Sequence, residues 1–231
     1  MKFEDYCNDC ANSGWTVIVG EGAKPCDCPR GQQAVYRRTS ANRELPVNVV
    51  PKMFERFRIE TMLPDTLRSE KQIELLAALK ENPAASVVMY GGNSFGAGKS
   101  AIGWAIYNSA VLAGRKATGG KLSAFVRMMQ AWEIDGIEPV VRPSDFRLWD
   151  RGLVFFDEFG KVKQSEFSAR MVFELLDVAY EEQQQVVITT NLSRAELKGC
   201  FFDVGEQYAG AIYRRLFDQQ GVIAVNFGDS E

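Results

Sequence analysis

Gly92-Asn93-Ser94-Phe95-Gly96-Ala97-Gly98-Lys99-Ser100 decides the reading of this chain. Ser86-Val87-Val88-Met89-Tyr90, just before it, is apolar and β-branched, as a buried strand requires. Ala101 to Leu112, just after it, carries apolar residues at helical spacing. Strand, glycine-rich turn, Gly-Lys-Ser and helix form the setting of a phosphate-binding loop. Glycines let backbone N–H groups curl around an anion, and the helix N-terminus adds partial positive charge. Lys99 is expected to reach the β- and γ-phosphates, and the Ser100 hydroxyl to take one Mg²⁺ position. The strict pattern wants glycine five residues before Gly98, where Asn93 stands; Gly92 comes one residue early. Asn tolerates left-handed backbone better than most residues, so the stretch reads as a variant loop.

About sixty residues on, Leu153-Val154-Phe155-Phe156 runs into Asp157-Glu158. Four apolar residues ending in two carboxylates match a Walker B strand. Asp157 is expected in the Mg²⁺ shell, with Glu158 orienting and deprotonating the attacking water. Val186-Val187-Ile188-Thr189-Thr190 is a further buried strand, followed by Asn191. In a parallel sheet a polar side chain there lies near the γ-phosphate, which makes Asn191 a candidate phosphate sensor. A plain strand-end turn is the competing reading.

The remaining elements alternate. Helical spacing covers 67–80, strands are expected over 116–122 and 223–227, and Ser123 is a candidate cap for a helix to 134. Helices are also expected over 167–182, 195–202 and 210–217. The whole is an α/β fold with a parallel sheet flanked by helices.

Four of five cysteines lie in the first 28 residues, as Cys7-x-x-Cys10 and Cys26-x-Cys28. Two close pairs around a short loop fit a four-thiolate zinc site, with disulfides or an iron–sulfur cluster as the alternatives. Cys200, alone in an apolar stretch, reads as a small buried hydrophobe. The expected organisation is a zinc-binding module over 1–32, a linker over 33–50 and the main domain over 51–231. From Arg30 to Arg58 the sequence has seven basic residues (Arg30, Arg37, Arg38, Arg43, Lys52, Arg56, Arg58) against Glu44 and Glu55. That segment faces phosphate or is a solvated linker; the sequence leaves both open.

The 231 residues carry a net charge of −3, which excludes a basic nucleic-acid coat. There is no histidine, so His-based acid–base catalysis and His metal ligands are excluded. The polar, acidic start Met1-Lys2-Phe3-Glu4-Asp5-Tyr6 lacks the apolar core of a signal peptide, and no apolar run approaches a membrane span. A cytoplasmic protein is expected.

Taken in order, these motifs resemble the AAA+ ATPases of the DnaC/DnaI/IstB group, the bacterial and phage helicase loaders and their transposition relatives. The resemblance rests on Cys7, Cys10, Ser13-Gly14, Cys26 and Cys28; on Ser94 to Ser100; on Phe156-Asp157-Glu158-Phe159-Gly160; on Val187 to Leu192; and on Ala211-Ile212-Tyr213-Arg214-Arg215-Leu216. It implies a P-loop AAA+ core behind a small zinc module, with ATP, Mg²⁺ and Zn²⁺ as cofactors. It implies a helicase-loader-like ATPase that binds a replicative DNA helicase and single-stranded DNA, and that self-associates through its ATP sites. In the group an arginine before Leu acts as an arginine finger on a neighbour's ATP; Arg215 is the match and Arg214 the fallback, unless both are surface residues of an amphipathic helix. Lys116, Lys121 and Arg127 are candidate single-strand contacts or ordinary surface charges. The second-sensor arginine common in such loaders is missing after the last strand. An IstB-like transposition helper shares this core, and a nucleotide-gated adaptor with little turnover is the reading from another class. A small-molecule kinase is disfavoured, because no arginine-rich lid is apparent.

Overall fold

The computed structural model describes residues 15–18, 22–26, 47–62, 69–92, 97–136, 152–218 and 221–228. The chain divides into two compact units, Met1–Pro46 and Val47–Glu231. In the first, β1 (Trp15–Ile18) and β2 (Gly22–Pro25) pair antiparallel, with Trp15 opposite Pro25 and Ile18 opposite Gly22. Cys26 follows β2 directly and is buried. Cys7, Cys10 and Cys28 lie outside the described residues, as does most of the expected linker.

The second unit is built on five parallel strands: β3 (Val87–Tyr90), β4 (Ala117–Lys121), β5 (Leu153–Asp157), β6 (Gln185–Thr189) and β7 (Ile223–Asn226). They stand in the order β4-β5-β6-β3-β7. Val87 is level with Val187 on one side and Ile223 on the other, and Leu153 sits between Ala117 and Gln185. Six α-helices accompany them among the described residues: α1 (Glu70–Glu81), α2 (Lys99–Leu112), α3 (Leu122–Asp135), α4 (Glu166–Glu181), α5 (Arg194–Gly199) and α6 (Phe202–Phe217).

The continuous apolar strands are explained by burial on both faces. Along β5, Val154 and Phe156 enter one core cluster while Leu153 and Phe155 enter the other, because successive strand residues point to opposite faces. One cluster takes its helical share from α1 and α2, including Leu75, Leu79, Trp104 and Ile106. The other takes it from α3 to α6, including Phe125, Leu175, Leu197 and Ile212. This division follows from handedness. The β3-to-β4 step runs across the sheet in one direction and the later steps run back. Right-handed crossovers then place the later helices on the opposite face. Edge-on aromatic pairs fill both layers, Trp104 on Phe155 at 5.0 Å and Phe125 on Phe156 at 5.1 Å.

Four local expectations change. Val47 and Asn48, read from sequence as linker, join the main unit: Val47 is buried, and Asn48 exchanges hydrogen bonds with Gly119 of edge strand β4. Helix α3 begins at Leu122 with Lys121 at the cap position and no side-chain cap, so Ser123 lies inside the helix. Instead of separate helices over 195–202 and 210–217, α5 ends at Gly199 and α6 runs from Phe202 to Phe217 with a kink at Gly205. Helix α5 starts on a capping box in which Ser193 accepts from the Glu196 N–H and the Glu196 carboxylate accepts from the Ser193 N–H. Cys200 is buried as expected, and burial pushes its thiol up to about 11. Among the described residues no helix is long and apolar enough to cross a membrane.

Candidate functional site

β3 and β6 are neighbours at the centre of the sheet, and β3 lies where the strand order reverses. Ligands in open α/β sheets bind at the carboxyl ends of strands at such a point. Several of the residues singled out from sequence, Gly98, Lys99, Ser100, Glu158 and Asn191, converge there. A cavity of about 780 Å³ is lined at this end by Gly98, Lys99, Ser100, Glu158, Thr189 and Asn191, among others. Asn93, Ser94, Phe95 and Gly96 lie outside the described residues; Gly92 and Ala97 flank them.

The phosphate-loop glycines have distinct jobs. Gly92 adopts a left-handed φ of 76°, and a Cβ there would stand 2.8 Å from the Phe227 carbonyl oxygen. It is therefore fixed by packing against the exit of β7, which accounts for a glycine one position early. Gly98, with φ 77°, is the cap residue of α2 and offers no side-chain cap. Among the described residues the first amides of α2 thus have no side-chain cap, the condition for anion binding at a helix N-terminus. Ala97 sits next to Gly98 and also lines the cavity.

Lys99 is only 7 % exposed. Its ammonium donates to the Gly91 carbonyl at 2.7 Å and the Gly92 carbonyl at 3.4 Å, with the Phe227 ring 5.9 Å away. Burial lowers its pKa, while the Asp157 charge acts in the opposite sense. Its amine is thus held by loop carbonyls that phosphate oxygens could replace.

Asp157 closes β5 and is also 7 % exposed. The Ser100 hydroxyl donates to its Oδ1 at 2.8 Å, and the Thr189 hydroxyl donates to the same oxygen. Burial raises the Asp157 carboxyl above its ordinary value against the pull of these two bonds. A buried carboxylate beside a hydroxyl is a hard oxygen donor set, which Mg²⁺ prefers. Ser100 and Asp157 thus fit the expected Mg²⁺ pair. Thr189 was not singled out from sequence, where attention fell on Asn191 two residues later. It meets Asp157 because β6 pairs with β5 in a register that brings its last residue level with the end of β5. Asn191 itself is exposed on the cavity wall.

Glu158 is the residue after Asp157 and has a different setting. Its backbone is left-handed, φ 55° and ψ 46°, and its N–H donates to the Thr189 hydroxyl at 3.1 Å. That turn sends its carboxylate between two ammonium groups, Lys161 at 2.9 Å and Lys121 at 3.0 Å. Burial alone would raise this carboxyl, but hydrogen bonds from Lys161 and Lys121 outweigh it and hold the group below the usual value. Lys121, a candidate DNA contact, is thereby engaged at the nucleotide end of β4. Lys116 is exposed at the opposite end of that strand, about 16 Å away by strand rise. The two do not form one patch.

Arg215 lies on α6 and donates through Nε, at 2.8 Å, and Nη2 to Asp177 of α4. Its guanidinium also stands over the rings of Phe173 at 5.1 Å and Tyr180 at 5.4 Å. It is held within its own chain. Arg214, beside it, is exposed.

With this geometry in place, comparison with known proteins is specific. The profile of the family described as IstB-like ATP binding protein matches residues 51–231. Curated protein sequences give no match. Among solved structures, the DnaC helicase loader superposes with a TM-score of 0.57 at 13 % identity over 76 % of this chain and 100 % of that chain. DnaI superposes with 0.58 at 16 % identity over 77 % of this chain and 95 % of that one. The replication initiator DnaA, bound to AMPPCP and single-stranded DNA, gives 0.55 at 13 % identity, over 77 % of this chain but 51 % of its own. These likenesses are of fold. The chain belongs to the IstB-like ATP binding protein family, on an AAA+ fold of the DnaC and DnaI kind.

Proposed function

We propose that this protein hydrolyses ATP and acts in DNA replication as a DnaC-like helicase loader, engaging a replicative helicase and single-stranded DNA. The observation that carries the ATPase reading is the convergence of Lys99, Ser100, Asp157 and Thr189 at the open N-terminus of α2. The α2 amides bind phosphate oxygens, and Lys99 turns from the Gly91 and Gly92 carbonyls to the β- and γ-phosphates. Ser100 and Asp157 would hold Mg²⁺, which when bound would supply positive charge against the charge developing on the phosphates. Glu158 leaves its lysine partners to orient the attacking water and accept its proton, and Asn191 faces the γ-phosphate. An arginine of α6 completes the site of a neighbouring copy, so activity depends on assembly. Exposed Arg214 reaches a neighbour without breaking contacts, whereas Arg215 would first have to leave Asp177.

The loader role rests on fold likeness to DnaC and DnaI, and a single-strand surface on likeness to DnaA. The family name IstB favours a second reading, a transposition helper on the same core. The lysine clamp on Glu158 favours a third, an ATP-gated adaptor that turns over little. In the N-terminal module over 1–32, followed by a linker, Cys7, Cys10, Cys26 and Cys28 hold one structural zinc; metal analysis should give about one zinc per chain, lost in Cys26→Ser.

Steady-state ATPase activity across protein concentrations, with and without single-stranded DNA, tests the proposal. Activity that climbs faster than protein and is lost in Glu158→Gln supports an assembling ATPase. ATP binding with no turnover under any condition selects the adaptor. Loading of a replicative helicase onto single-stranded DNA, set against stimulation of a transposase, separates the other two.

A further inference from the structure

The first turn of α1 packs against the phosphate loop. Ser69 caps this helix, its hydroxyl accepting from the Gln72 N–H, which fixes where the Gln72 side chain starts. Gln72 is 4 % exposed on a helix whose other buried positions are Leu75, Leu76 and Leu79. An amide is a costly occupant of such a place unless its hydrogen bonds are made. Its Nε2 donates to the Ala97 carbonyl at 2.5 Å. A Cβ on Gly98 would stand 2.4 Å from the same nitrogen, so the amide also fills the space beside the turn into α2.

In a trans peptide, C=O and N–H point in opposite directions. Holding the Ala97 carbonyl toward Gln72 therefore fixes the Gly98 N–H pointing the opposite way, away from Gln72, within that peptide plane. The neighbouring residue grips the far end of the loop. Lys71 Nζ donates to the Gly228 carbonyl at 2.9 Å, and Gly228 abuts Gly92, where an added Cβ would lie 3.0 Å from the Gly92 nitrogen. One helical turn thus holds both flanks of the segment from Gly92 to Gly98.

We infer that Gln72 is a positioning residue for nucleotide binding, fixing the Ala97–Gly98 peptide so that the amides opening α2 face the phosphates. The inference rests on the ATP-binding reading above. Gln72 acts through the loop, by its bond to the Ala97 carbonyl. Because the loop amides cradle the phosphates shared by ATP and ADP, both nucleotides depend on it.

The test is equilibrium binding of fluorescent ATP and ADP analogues, with Mg²⁺, to the full chain and three variants. Gln72→Met keeps the side-chain length without a donor, and Gln72→Glu keeps the shape but only accepts. Leu76→Ala loosens α1 without touching the loop. Gln72→Met should weaken both nucleotides about tenfold, the effect of leaving a part-buried carbonyl unpaired. Gln72→Glu should weaken them further through carboxylate–phosphate repulsion. Leu76→Ala should lower the melting temperature and leave affinity, measured well below it, as in wild type. Wild-type affinity in both Gln72 variants overturns the inference, and so does an equal loss in Leu76→Ala, which would mark general loosening of α1. Should the wild type bind neither nucleotide, the ATP-binding reading falls and the inference with it.

Discussion

Asp157 and Glu158 are adjacent carboxylates with opposite surroundings. Asp157 faces the interior, takes hydrogen bonds from two hydroxyls, and is pushed upward in pKa by burial. Glu158 turns through a left-handed backbone to the rim and is held by two partly exposed ammonium groups. On the floor, the Asp157 carboxylate takes its hydrogen bonds from neutral hydroxyls, an oxygen-rich setting that suits a cation arriving with the nucleotide. The rim sets two ammonium groups against one carboxylate, and its pairs are partly exposed, where such pairs are worth about 1 kcal/mol or less. Floor contacts are therefore durable and rim contacts exchangeable. On the proposed function, the two neighbours would divide the work between holding the cation and handling the proton.

The largest expected effect breaks the two apart. Glu158→Gln should lower ATP hydrolysis by about 10²- to 10⁴-fold, the usual contribution of a positioned base, while Mg²⁺-dependent ATP binding stays within a few-fold of wild type. Asp157→Ala should instead remove the Mg²⁺ dependence of binding, seen by titrating a fluorescent ATP analogue with and without EDTA. Equal losses of binding in both variants would mean that floor and rim are one unit, and the division would fail.

Next comes Thr189→Val, which keeps shape and removes the hydroxyl shared by the Asp157 carboxylate and the Glu158 N–H. Losing a hydrogen bond to a charged group costs roughly 1.5–3 kcal/mol, so the Mg²⁺ requirement should rise by about tenfold or more. Thr189→Ser should restore it. A comparable step awaits Arg215→Ala on the other side of the sheet. It removes a part-buried pair with Asp177 and two ring contacts, and should lower the melting temperature by several degrees. Arg214→Ala should leave melting unchanged and lower concentration-dependent hydrolysis. The reverse pattern would return the finger role to Arg215.

The contrast also explains what sequence could and could not reveal. Most of the floor was legible because its parts are local: Gly98-Lys99-Ser100 follows a strand, and Asp157 ends one, whereas Thr189 meets Asp157 only through the pairing of β5 with β6. The strand cores were legible because burial on both faces leaves unbroken apolar runs. The rim was not, because Lys121 is 37 positions from Glu158 in sequence and comes to it only through the pairing of β4 with β5. Arg215 and Asp177 are separated by 38 positions and meet through α4–α6 packing. Gln72 looks like any polar residue of an amphipathic helix until the loop beside it is placed. The start of α6 was missed because Gly205 and Gly210 thin its apolar periodicity, while buried Ala209, Ile212 and Leu216 hold it in place.

The smallest expected effect concerns the lysines. Lys121→Ala and Lys161→Ala each leave Glu158 with one ammonium, and the double variant leaves it with neither of these two. If the clamp mainly restrains the base, the single variants should raise hydrolysis by about two- to threefold, since an exposed pair is worth a few tenths of a kcal/mol to about 1. If the lysines instead aim the carboxylate at its water, the same variants should lower hydrolysis by a similar factor. Salt distinguishes the clamp from the floor in the wild type. The screening length falls from about 10 Å at 0.1 M to about 3 Å at 1 M, so raising salt should imitate the lysine variants. The Asp157 contacts, buried and formed with neutral hydroxyls, should respond little. Hydrolysis that shifts with salt in the wild type and stays flat in the double lysine variant would locate the exchangeable element at Glu158. A salt response that survives both substitutions would place it elsewhere.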